Sequence, residues 1–164
     1  AMTAMTLPEI TPYTSADHDW LVEAHGRLYA AENGFDASFP VVVDAVLRDF
    51  ETAHDPTCER GWILRDGARR LGSIFCVRED DRTARLRLFL LEPEARGTGQ
   101  GRRLLETCMG FARGHGYRQI VLGTHESHRA ACALYARNGF ACTRSTPIRN
   151  YGQALVEQVW ERPL

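Results

Sequence analysis

The segment Ala95–Glu106, ARGTGQGRRLLE, constrains this chain more than any other, because it sets three alternating glycines between two elements of different period. Upstream, ARLRLFLLEP alternates Leu86, Leu88 and Leu90 on one face with arginines and Phe89 on the other, which reads as a strand ended by Pro93. Downstream, Leu104, Leu105, Cys108, Met109 and Phe111 or Ala112 form the buried stripe of a helix that closes at Gly114–Gly116. Gly97, Gly99 and Gly101 therefore lead into a helix N-terminus near Gln100, where unpaired N–H groups converge. Such a place attracts anions, and Arg96, Arg102 and Arg103 add positive charge. A pyrophosphate is the fitting guest, since glycines let the backbone approach its oxygens closely.

Two other phosphate loops do not fit. A Walker loop needs Lys and then Ser or Thr after its last glycine, where this chain has Arg102 and Arg103. A dinucleotide fingerprint starting at Gly97 needs glycine at 102, which is arginine.

The other elements follow from the same signals. Ser15, with acidic Asp17 and Asp19 in the first turn, opens a helix with Leu21, Ala24 and Leu28 on its inner face. Ser38 and Pro40 open a second, with Val43, Val46, Leu47 and Phe50 on one side. Two apolar runs around Asp66-Gly67 predict a hairpin. QIVLGT reads as a strand buried on both faces, and SHRAACALYARNGF as a helix capped by Ser127 and stopped by Gly139 at a C′ position. FACTRS and ALVEQVW finish as strands. The order predicts an α/β (α+β) fold, a central mixed β-sheet with helices on both faces, in one domain over 1–164.

Composition excludes more than it names. A net charge of -1 gives no footprint for nucleic acid. No apolar run approaches the ~18 residues of a membrane span, and the opening residues lack a signal peptide's pattern, so a cytoplasmic protein is expected. The 5 cysteines are odd in number and scattered, which predicts buried free thiols, and neither they nor the 6 histidines show a zinc-site spacing, so no metal is expected. Phe75, Phe89 and Trp160 lie on separate strands without a basic stripe and are expected in the core.

RGTGQG, Arg96 to Gly101, resembles the Q/R-x-x-G-x-G/A signature of the GNAT superfamily of acyl-CoA-dependent N-acyltransferases, and ACALYARNGF resembles its second landmark, a Leu-Tyr helix end followed by Gly-Phe. More narrowly, RLRLFLLEPEARGTGQGRRLLE and GQALVEQVWE are similar to the acyltransferase domain fused behind MarR-type regulators. No winged helix precedes it here, so DNA binding is not expected.

The resemblance implies acetyl transfer from acetyl-CoA to a primary amine of a small molecule or amino acid, by direct attack in a ternary complex. It places coenzyme A on Leu90, Leu91, Glu92, Arg96, Gly97, Thr98, Gly99, Gln100, Gly101 and Arg102, with the pantetheine in an opening between the strand before the loop and QIVLGT. Tyr135 matches the tyrosine that protonates the departing sulfur. His128 stands where many relatives carry asparagine near the pantetheine, and either replaces that hydrogen bond or caps the helix. Glu126, His125 and Glu92 are the candidate bases, alone or through water. His25, Tyr29 and Glu32, with His125, are placed to line the acceptor pocket, although a solvated helix face accounts for the first three nearly as well. A module that binds acyl-CoA or an amine without turnover is the alternative. ALVEQVW is a strand able to pair across a homodimer.

Overall fold

A computed structural model describes residues 7–164. One seven-stranded mixed sheet runs through it in the order β1-β2-β3-β4-β5-β7-β6. β1 (Glu9–Pro12), β2 (Arg60–Asp66), β3 (Arg69–Arg78) and β4 (Thr83–Leu91) pair antiparallel in sequence order. β5 (Gln119–His125) pairs parallel to β4, and β7 (Gln153–Pro163) lies antiparallel between β5 and β6 (Ala141–Asn150).

Helices cover both faces. α3 (Gln100–Gly114) and α4 (Arg129–Arg137) bury Leu104, Leu105, Cys108 and Tyr135 in one core with Ile74, Leu86 and Ile120. α1 (His18–Asn33) and α2 (Ser38–Ala53) close the other face, where Leu21, Val43 and Leu47 meet Phe75. The turn between β2 and β3 is the two residues Gly67-Ala68, since Asp66 pairs with Arg69. All five cysteines are free, although only Cys76 and Cys108 are buried and Cys142 is exposed. Among the described residues no helix is long and apolar enough to cross a membrane.

The expected single leucine face of β4 is wrong, and its correction creates the site. The register against β3 shifts between Ser73 and Phe75, and Leu88 takes φ 51, so β4 carries a bulge there. Leu86 stays with the α3 core, while Leu88 packs under α1 and α2 and Leu90 against Ala24 and Leu28. Phe89 and Leu91 turn to the face of Leu86. The bend takes β4 away from β5: the two pair only at Thr83–Gln119, Ala84–Ile120 and Arg85–Val121, and the sheet then opens.

Three further expectations change. Ser127 does not cap α4: His128 holds the cap position, and the Ser127 hydroxyl accepts from Asn33 Nδ2 at 3.3 Å. β7 has a neighbour on each side, so ALVEQVW is no free edge, and the outer strand is β6. Asp17 does not lie in the first turn of α1, which starts at His18. It ends a short 3-10 turn and is fully buried, accepting from Arg65 (2.6 Å), Arg70 (2.8 Å) and the Thr14 amide (3.0 Å), which pins α1 to β2 and β3. Burial works to raise its pKa, but these donors outweigh burial and hold the carboxyl below its ordinary value.

α1 and α2 are clasped by His18, whose Nε2 lies 2.6 Å from Asp44 and Nδ1 2.7 Å from Glu51, an acid that also accepts from Tyr13. The Asp44 bond chiefly, with Glu51 and against burial, raises the imidazole above its ordinary 6.5. The stabilisation is therefore complete below about pH 6.5 and is lost as pH rises through the elevated folded value. The melting temperature of the wild type is expected to fall more steeply than that of His18→Gln as pH is raised through that range. Parallel curves would show that the clasp does not titrate.

Candidate active site

Beyond Arg85 the edge of β4 borders a cleft of about 790 Å³, walled by Phe89, Leu90 and Leu91, the glycine loop, the start of α4 and one side of α1. Gly99 occupies the cap position of α3 with φ 82, a left-handed conformation that disfavours any side chain, and nothing lies within 4 Å of where its Cβ would stand. Gly101 is tight instead: a Cβ there would come 3.1 Å from Leu91 and 3.2 Å from Leu134. The loop thus offers an open, side-chain-free cradle at a helix N-terminus, which suits a pyrophosphate.

Most of the expected ligand-binding positions come together here. Tyr29, Glu32, Leu90, Leu91, Arg96, Gly97, Gly99, Gly101, Arg102 and His128 all face the cleft. Thr98 and Gln100 hold the scaffold instead, and Arg96 does both. The Thr98 hydroxyl donates to the Ala95 carbonyl at 2.6 Å. Gln100 is buried and accepts from Arg103, which also reaches back to the Pro8 carbonyl. Arg96 forks onto Glu32 (2.7 and 2.9 Å) and donates to the Leu91 carbonyl, so it joins the loop to α1.

Tyr135 is buried outside the wall, its ring 6.2 Å from Phe89, 5.7 Å from Phe140 and 6.3 Å from Trp160. Burial raises its pKa, so the phenol keeps its proton near neutrality. Phe89, expected in the core, contributes to the cleft as well. His128 places Nδ1 3.5 Å from the Tyr29 hydroxyl, and burial lowers its pKa to about 4. His25 is buried on α1, its Nδ1 donating to the Leu21 carbonyl at 2.8 Å and its pKa pushed down to about 4 by burial. It is neither a solvated helix face nor a cleft residue, but it stacks at 11° on the Tyr29 ring.

Glu92 does not fit either of its expected roles. Both carboxylate oxygens take bonds from Arg27 (2.6 and 3.2 Å), and its N–H donates to Leu71. The side chain is turned to Arg27 and lies outside the cleft wall, and the amide is spent on β3. Glu126 is exposed and outside the cleft wall. His125 is half-buried, with burial lowering its pKa, and contacts Phe35 rather than the cleft.

Among the cleft residues that the sequence reading missed, four are polar or charged and precede or lie on the helices that flank the opening. Arg129 and Arg137 enter the wall from the two ends of α4. Their spacing on a helix beside the glycine loop was a usable signal. Asn33 and Ser127 are brought in by the fold alone, and Asn33 Oδ1 is buried without a partner among the described residues. The described residues contain no group of three or more His, Cys, Asp or Glu arranged to hold a metal.

A mixed sheet broken beside its one parallel pair, with a glycine loop at the mouth of the break, is the architecture of the GNAT acetyltransferases. A phosphinothricin acetyltransferase of the GNAT superfamily from Sinorhizobium meliloti, solved in complex with acetyl-CoA, superposes with a TM-score of 0.77 at 21% identity, over 97% of this chain and 89% of that one. The sequence model of the acetyltransferase (GNAT) family matches residues 18–140, and the chain belongs to that family. It is 33% identical over 104 residues to a mycothiol acetyltransferase of Geodermatophilus obscurus, across 59% of this chain and 33% of that protein. It is 34% identical over 87 residues to human N-acetyltransferase 8B, across 50% of this chain and 38% of that protein. The chain thus spans about a third to two fifths of the length of these relatives.

Proposed function

We propose that the protein transfers an acetyl group from acetyl-CoA to a primary amine of a small molecule, in a ternary complex. The opening of β4 from β5, ending in the Gly97–Gly101 cradle, carries this reading. In it, the loop amides hold the pyrophosphate, and Arg102, Arg129 and Arg137 face the phosphates. The edge of Leu90 and Leu91 lies along the pantetheine, and His128 stands beside its end.

The amine lone pair attacks the thioester carbon, the C–S bond breaks, and the sulfur takes a proton from Tyr135, a role that rests on its match to the family's tyrosine, since its ring is buried behind Phe89. The nitrogen gives up one proton, so amine and thioester become amide and thiol. Glu92, Glu126 and His125 all lie outside the wall, and neutral His128, which faces the cleft, is taken as the acceptor of that proton, directly or through water. Since His128 is a weak base, the amine is best served by arriving neutral.

A single domain in the cytoplasm, with any homodimer formed through β6, completes the reading. The narrower likeness to acyltransferase domains fused to MarR-type regulators rests on the sequence segments alone. The test follows coenzyme A thiol release from acetyl-CoA over a panel of amines. Release above the uncatalysed rate supports the transferase, whereas stabilisation by acetyl-CoA without release would favour the binding module.

A further inference from the structure

A second cavity, of about 220 Å³, lies on the face of the sheet that α1 and α2 cover, between the second half of α2 and strands β3 and β4. Its floor is apolar: Phe50 and Phe75 meet edge to face with centroids 4.9 Å apart, and Val46, Val77 and Leu88 complete it. No residue lines both this cavity and the cleft beside the glycine loop. Sites for drug-sized ligands occupy roughly 300–1,000 Å³, so this one suits a guest of about the size of a single amino acid.

Five ionisable side chains line the walls, and three of them are already engaged. Glu59 accepts from the Asp55 and Arg78 amides at 2.7 and 2.9 Å. The Arg78 guanidinium holds Asp81. His54 stacks on the Phe50 ring, and its Nδ1 donates to the Phe50 carbonyl at 2.7 Å. The remaining two are Arg87 on the β4 side and Asp49 on the α2 side. Among the described residues their side chains make no hydrogen bond and do not pair with each other. The other charges that act on Arg87, Arg85 and Glu79, bond to one another at 2.6 Å. Partial burial, and then Arg85 alongside, push the pKa of Arg87 down, which is the signature of a cation short of a partner.

A simple anion would suit Arg87 but meet the Asp49 carboxylate, and a simple amine would suit Asp49 but meet the guanidinium. A zwitterion satisfies both. Its carboxylate forks onto Arg87, its ammonium faces Asp49, and an apolar side chain covers the two phenylalanines. We propose that this cavity binds one free apolar α-amino acid, as a ligand separate from the two reactants of acetyl transfer. The guest would rest on Leu88, whose left-handed backbone (φ 51) starts the opening of β4, while the next residue, Phe89, lines the cleft. The site is therefore placed for an effector of the cleft.

Isothermal titration of the whole chain with leucine needs no acyl donor, so its outcome is independent of the acetyltransferase reading. Leucine is expected to bind at least about tenfold more tightly than 4-methylpentanoate, which lacks the ammonium, and leucinamide, which lacks the carboxylate. Neither Arg87 nor Asp49 is buried in the core, so Arg87→Gln and Asp49→Asn should melt near the wild-type temperature. Each is expected to weaken leucine by about tenfold or more. Saturating acetyl-CoA is expected to leave leucine bound. No binding at millimolar leucine, equal affinity for either analogue, full affinity in either variant, or displacement of leucine by acetyl-CoA overturns the proposal. So does thiol release from acetyl-CoA driven by leucine, which would make it an acceptor.

Discussion

Gly99→Glu is expected to abolish stabilisation by acetyl-CoA while leaving a folded protein. At a hundredfold excess over its dissociation constant, a ligand of the native state adds roughly 2.7 kcal/mol, a shift easily read in a thermal melt. Glutamate at φ 82 strains the first turn of α3 by roughly 1–2 kcal/mol. It also sets a carboxylate at the helix N-terminus that is proposed to meet the pyrophosphate, so charge and volume oppose the ligand together. The free space around the Cβ position means the core is not disturbed. A variant that melts near the wild-type temperature and still responds fully to acetyl-CoA would remove the loop from the binding site.

Tyr135→Phe is expected to lower kcat by roughly 10²–10⁴-fold, the range of a lost general acid, with acetyl-CoA binding changed little. The phenylalanine ring keeps the contacts to Phe89, Phe140 and Trp160, so packing is preserved and the effect isolates the hydroxyl. A loss shared equally between kcat and acetyl-CoA affinity would make Tyr135 a binding residue. A kcat near that of the wild type would make it an ordinary core aromatic.

The parts legible in the sequence are those set by near neighbours. The stripe of α3, the hairpin at Asp66 and the glycine loop depend on residues within a turn or two of one another, and periodicity reports them. The bulge at Leu88 does not: the leucines of β4 alternate without fault, and only the competition of α1 and α2 for Leu88 and Leu90 breaks the register. β1 is four residues long and ends in proline, too little for a pattern. Tyr151-Gly152 turns β6 into β7 with both residues at positive φ, a turn obscured by the tyrosine. In the site, Glu92 looked available because the arginine that occupies it, Arg27, lies 65 residues earlier. Separations of 48 and 53 residues likewise hid the two arginines that draw Asp17 into the interior.

The last turn of α1 spans the cleft like a footbridge. On one bank Glu32 reaches Arg96 of the loop, and on the other Asn33 reaches Ser127 ahead of α4. Both links are exposed polar contacts, and the Glu32–Arg96 ion pair is of the kind that contributes about 0–1 kcal/mol and weakens as salt is added. Salt is therefore expected to loosen the Glu32–Arg96 tie while the packing of Leu28 and Tyr29 holds this end of the helix against the sheet.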